Sequence, residues 1–186
     1  MLNATRDTIL PTTMTGSYPR PSWFTQVLGQ RSFKEALGDS VFREQYLDAV
    51  SCVVADQVRA GLNIVTDGDS RFDLTVGGKS WFSYPMDRLD GITGHADLST
   101  AGGWKTLRPG RILYEVMEAY QPAIAGARIR GGPLEYAALW KAAQRLTDRP
   151  VKFGAISAQT LAKMLVNKHY PSERELILDL ADVFNQ

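Results

Sequence analysis

Short apolar segments that break off into small polar residues recur along this chain, and stretches of helical periodicity separate them. A chain with that alternation is expected to fold as βα units around a parallel sheet, because strands and helices then cover each other's apolar faces. Ile9–Thr15 reads as a first strand, closed by Gly16 and the Pro19/Pro21 pair. Trp23–Leu28 suits a helical turn, and Asp39 or Ser40 can cap a long helix through Ala60. In that helix Leu47, Val50, Val54 and Val58 fall at helical spacing, and Gly61 is the stop. Leu62–Thr66 reads as a short buried strand that runs straight into Asp67-Gly68-Asp69. An irregular stretch from about Ser70 to Gly103 follows, then a helix from about Gly110 to Tyr120, a strand near Ala127–Arg130 and a helix from Leu134 to Leu146. Val151–Ser157 reads as a strand, Ala158–Val166 as a helix, and Ser172–Gln186 as a helix with Leu176, Ile177, Leu180 and Phe184 on one side.

In such folds ligands sit beyond the carboxyl ends of the strands. Ser17, Asp67, Asp69, Ser157 and Gln159 each follow a predicted strand and form the first candidate site. Composition sets the outer limits. The 186 residues are 44% hydrophobic and 22% charged with a net charge of +1, which suits globular structure and argues against a polyanion-binding protein. Residues 101–152 alone carry a net +5, either an anion-facing segment or a solvated basic surface. No apolar run approaches the roughly 20 residues of a membrane span, and the N-terminal residues lack the pattern of a signal peptide. A lone cysteine, Cys52, excludes an intramolecular disulfide and fits a reducing cytoplasm. It reads as a small buried helix residue. Expected partners are therefore small molecules, with no nucleic acid and no membrane.

Three blocks together resemble the catalytic domain of the cobalamin-independent methionine synthase family, including its shorter stand-alone relatives. The first is Thr12-Thr13-Met14-Thr15-Gly16-Ser17-Tyr18-Pro19-Arg20-Pro21, similar to the family's Gly-Ser-aromatic-Pro loop after its first strand. The second is Asp56-Gln57-Val58-Arg59-Ala60-Gly61-Leu62-Asn63-Ile64-Val65-Thr66-Asp67-Gly68-Asp69, where most members end in Gly-Glu. The third is Arg149-Pro150-Val151-Lys152-Phe153-Gly154 with the polar turn Ala155–Thr160.

The resemblance implies a (β/α)8 TIM barrel that moves a methyl group from a folate donor to a thiol, such as homocysteine, held on zinc. Relatives with the same barrel alkylate other thiols, coenzyme M among them. By position, Thr15, Gly16 and Ser17 match the loop that holds the amino-acid end of the thiol substrate, and Asp69 matches the glutamate that reads its amine. Asp67 stands where many members have histidine. The same residues also suit a strand-to-loop turn and its side-chain caps. Trp81-Phe82-Ser83-Tyr84-Pro85 and Trp104 fall where the family places loops over the barrel mouth, so they can stack on a pterin or pack in the core. At Ser157-Ala158-Gln159 the chain departs from the family's Thr-Gly-Pro, and Met164 replaces a tryptophan, which weakens folate as the donor.

The family's zinc ligands are a His-x-Cys pair, a glutamate and a late cysteine, and this chain has no His-x-Cys. Its only histidines are His95 and His169. A catalytic zinc needs three protein ligands, so zinc belongs to the expected cofactors of the family while its ligand set is missing here. Eight βα units would leave about 23 residues each, against roughly 30 for a βαβ segment and about 250 for a barrel. The expectation is one partial TIM-barrel domain, residues 1–186, with about four βα units of the first half and a stop before the metal-ligand half. Such a chain is expected to be inactive alone. It can dimerise through exposed half-barrel edges, or act as a non-catalytic half-barrel that binds a partner.

Overall fold

The computed structural model describes residues 5–29, 31–70, 80–96 and 122–186. These form two compact units, Met1–Tyr84 with Glu135–Ala155 and Pro85–Leu134 with Ile156–Gln186. The architecture is mixed α/β with open sheets. The expected helix from about Gly110 to Tyr120 and Trp104 lie outside the described residues.

In the first unit, α1 (Phe33–Gly38) starts at a capping box. Ser32 Oγ accepts from the Glu35 N–H at 3.2 Å, and Glu35 Oε2 accepts from the Ser32 N–H at 2.9 Å. This helix was not visible in the apolar spacing. The helical turn expected at Trp23–Leu28 is only a tight turn in which the Phe24 N–H bonds the Pro21 carbonyl. The long helix α2 (Ser40–Arg59) matches the expectation at both ends. Asp39 caps it by accepting from the Val41 and Phe42 N–H groups. Gly61, at φ +82°, stops it, with its own N–H on the Val58 carbonyl and the Leu62 N–H on the Gln57 carbonyl. The buried stripe of α2 is Phe42, Tyr46, Ala49, Val50, Val53, Val54 and Gln57. Around it Phe24, Phe33, Phe42 and Tyr46 form an aromatic cluster with ring centroids 5.0 to 6.5 Å apart. Cys52 falls off this stripe and is exposed, which corrects the buried placement.

Strand β1 (Val65–Thr66) pairs in parallel with β4 (Val151–Lys152), Val65 beside Val151 and Thr66 beside Lys152. Helix α4 (Tyr136–Gln144) precedes β4. The first predicted strand, Ile9–Thr15, is not a strand. Ile9 and Leu10 are 94% and 86% exposed, and Leu10 sits at φ +59°. The segment is held at Thr12, whose carbonyl accepts from the Asn63 and Ile64 N–H groups while the Asn63 carboxamide oxygen accepts from the Thr12 N–H and hydroxyl. The strands predicted at Leu62–Thr66 and Val151–Ser157 shrink to two residues each. Helix α3 (Ser80–Met86) carries Phe82 and Tyr84 in the core. Tyr84 lies 5.8 Å from Tyr136, which lies 5.2 Å from Phe153, so these two aromatics of the expected loop stretch pack rather than face a ligand.

In the second unit, β2 (Asp90–His95) runs antiparallel to β3 (Ala123–Arg130), and β3 runs parallel to β5 (Val166–Asn167). The sheet is therefore mixed, not wholly parallel. β2 falls where an irregular stretch was expected, because its two glycines hide the strand pattern. Helix α5 (Ala158–Met164) is capped by Ser157 and ends earlier than predicted, where β5 begins. Helix α6 (Glu173–Phe184) buries Leu176, Leu180 and Val183. A polar knot ties α6 to β3. Arg128 Nε donates to Asp179 Oδ2 at 3.0 Å, and the Tyr170 hydroxyl donates to the same oxygen at 2.8 Å while accepting from the Ile129 N–H at 2.7 Å. None of the described helices is long and apolar enough to cross a membrane.

Candidate functional site

The first unit holds a cavity of about 330 Å³ at the carboxyl ends of β1 and β4. Its walls come from three segments: Met14, Thr15 and Gly16; Thr66 and Asp69; and Lys152, Gly154 and Ala155. Each segment is set by bonds to a neighbour. Gln57 is fully buried on α2, and its carboxamide pairs with both backbone groups of Thr66. Nε2 donates to the Thr66 carbonyl at 2.9 Å, and Oε1 accepts from the Thr66 N–H at 2.8 Å. β4 is held on its outer side in the same way. Gln144 Oε1 accepts from the Val151 N–H at 3.0 Å, and Trp140 Nε1 donates to the Val151 carbonyl at 2.9 Å.

Beyond β1 the chain turns sharply. Gly68 adopts φ +68°, and a Cβ there would lie 2.6 Å from Val53 Cγ1, so glycine alone fits. Asp69 itself sits at φ +51°. The Gly16-Ser17-Tyr18 loop docks onto this turn at two points. The Tyr18 N–H donates to the Gly68 carbonyl at 2.9 Å, and Ser17 Oγ donates to Asp69 Oδ2 at 3.2 Å. From the other side Lys152 Nζ donates to the Met14 carbonyl at 2.6 Å and to Thr15 Oγ1 at 3.3 Å.

Of the residues singled out by sequence, Thr15, Gly16 and Asp69 line the cavity, and Ser17 orients the Asp69 carboxylate. Asp67 is fully buried behind the wall, where Oδ1 accepts from the Asp69 N–H at 3.1 Å, and so shapes the turn. Ser157 and Gln159 belong to the second unit, where Ser157 Oγ accepts from the Thr160 N–H at the start of α5. Lys152 was missed as a site residue. The signals available were its place in the third family-like block, Arg149–Gly154, and in the basic segment 101–152.

The described residues do not fit a three-ligand zinc site. No three His, Cys, Asp or Glu side chains gather among them. Cys52 lies exposed on α2, His95 ends β2, and His169 packs edge-on against Tyr170.

No family model matches the chain. Over 183 residues, 96% of its length, it is 29% identical to a methionine synthase from Sulfolobus acidocaldarius, of which it covers 47%. The chain is thus similar, along nearly all of its length, to about half of a methionine synthase. The methionine synthase of Sulfurisphaera tokodaii is 27% identical over 177 residues, with 46% of that protein covered. A 2-hydroxypropyl-CoM lyase from Xanthobacter autotrophicus is also 27% identical, over 187 residues and 46% of its length. The chain thus spans about half the length of the curated methionine synthases and lyase that it matches. The solved structure of a B12-independent methionine synthase from a Shewanella species, in complex with selenomethionine, shares the fold at a TM-score of 0.63 and 20% identity, over 95% of this chain and 46% of that one.

Proposed function

We propose that this chain is the thiol-holding part of a partial (β/α)8 barrel, one domain over residues 1–186, in a methyltransferase that alkylates homocysteine or a similar amino-acid thiol. One observation supports the reading above the others: the Ser17-oriented carboxylate of Asp69 lines the same cavity as Thr15 and Gly16. A carboxylate suits the ammonium of an amino acid, and a hydroxyl with nearby backbone donors suits its carboxylate. The structural relative binds selenomethionine, a ligand of that shape. Activation of the thiol is not assigned to this chain, whose described residues bring no metal ligands together. Turnover is therefore expected only from a complete barrel.

A second reading is supported by the 2-hydroxypropyl-CoM lyase, matched over the full length of this chain. Here the ligand would be coenzyme M, which bears a sulfonate and no amine. Calorimetric titration separates the two. Binding of L-homocysteine that weakens about tenfold in Asp69→Asn, from loss of a charge-assisted hydrogen bond, fits the first reading. Tight binding of coenzyme M, unchanged by Asp69→Asn, fits the second. Binding of neither thiol refutes both.

A further inference from the structure

We infer that Lys152 supplies the cation for the anionic end of the thiol ligand, and so selects ligands that carry a carboxylate opposite their ammonium. This assignment rests on the amino-acid-type ligand proposed above. Three observations carry it. Lys152 is half-buried on the last residue of β4 and lines the cavity together with Asp69, so one concave surface holds an ammonium and a carboxylate. Its position is fixed by the Met14 carbonyl and Thr15 Oγ1, which lie on the loop expected to hold the ligand. Among the described residues, those two bonds use two of the three N–H donors of an ammonium, which leaves the third for a ligand oxygen. A zwitterion laid between Lys152 and Asp69 meets opposite charge at each end. A ligand without a carboxylate gives the third Lys152 donor no oxygen to meet.

The charge and the loop-holding bonds of Lys152 are separable. Lys152→Gln keeps a donor near the Met14 carbonyl but removes the charge, and Lys152→Arg keeps the charge. Each protein is titrated by calorimetry with L-homocysteine, with 4-mercaptobutyrate, which has no amine, and with 3-aminopropane-1-thiol, which has no carboxylate. Lys152→Gln is expected to weaken homocysteine and 4-mercaptobutyrate about tenfold, in line with loss of a charge-assisted hydrogen bond, and to leave 3-aminopropane-1-thiol within about twofold. Lys152→Arg is expected to recover part of the loss.

An equal loss for all three ligands overturns the assignment, because it shows that Lys152 only holds the loop. So does unchanged binding of homocysteine by Lys152→Gln, which leaves the proposed function standing. Failure of the unaltered chain to bind any of the three overturns both. If circular dichroism shows Lys152→Gln to be unfolded, the unaltered chain decides alone. Homocysteine should then bind at least about tenfold more tightly than 3-aminopropane-1-thiol, with a preference that shrinks as salt is added. Equal affinities for the two overturn the assignment.

Discussion

Gln57→Leu tests whether a buried carboxamide stands in for a missing strand beside β1. The substitution keeps the size of the side chain and removes its bonds to both backbone groups of Thr66, at 2.9 and 2.8 Å. Thr66 is 7% exposed, so its N–H and carbonyl would gain no ready access to water. A buried backbone group left without a partner costs about 1–3 kcal/mol, so two cost roughly 2–6 kcal/mol. The apolar leucine returns on the order of 1–2 kcal/mol by burial. At the centre of those ranges the expected net loss is about 2.5 kcal/mol, read as a lower midpoint in urea denaturation followed by far-ultraviolet circular dichroism. Gln57→Glu, which keeps an acceptor for the Thr66 N–H but not the donor, should also destabilise. A loss below about 0.5 kcal/mol for Gln57→Leu, the scale of an ordinary surface change, would refute the claim that this side chain holds β1 in place.

Three further outcomes follow from the same geometry. Gly68→Ala should lower the thermal midpoint by several degrees, because it adds a Cβ 2.6 Å from Val53 Cγ1 at a φ of +68°; an unchanged midpoint would contradict the close approach. The Arg128 guanidinium, and after it the Tyr170 hydroxyl, hold the Asp179 carboxyl below its ordinary value. Its contribution is therefore complete above about pH 4, the unfolded value, and is lost as pH falls through the lower folded value. Asp179→Asn should then show a shallower loss of thermal stability on acidification than the unaltered chain, and parallel profiles would count against the knot. Cys52 should react with a thiol reagent to one equivalent per chain without denaturant, since it is exposed, and slow or partial reaction would place it back in the core.

What the sequence made legible was mostly local. The Asp39 cap and the Gly61 stop of α2 were readable because a cap needs only its own side chain and a few neighbouring N–H groups. The position of α6 was readable from its apolar pattern, while β3 was placed only in its second half, near Ala127–Arg130. Ile9–Thr15 misled because its β-branched residues suit a strand, yet only Thr12 finds backbone partners on the segment before β1. Gln57 and Gln144 were invisible as structural residues, since a polar side chain in a helix reads as solvated until its backbone partner is known. At the site, Ser17 and Asp69 stood out as polar residues after predicted strands, whereas Thr15 and Gly16 were marked only by the family resemblance. Lys152 did not, because its significance depends on Met14 and Thr15, more than 130 residues earlier.

The glutamine clasps on β1 and β4 also act as rulers. Gln57 and Thr66 are nine residues apart, and Gln144 and Val151 are seven. Strands of two residues have almost no ladder with which to choose their alignment, and a slip of one residue turns every side chain to the opposite face. The helix-borne carboxamides make that choice instead. The connections at 58–65 and 145–150 are therefore fixed in length: one inserted residue would carry Thr66 or Val151 past its clasp and rotate Asp69 or Lys152 away from the cavity they share.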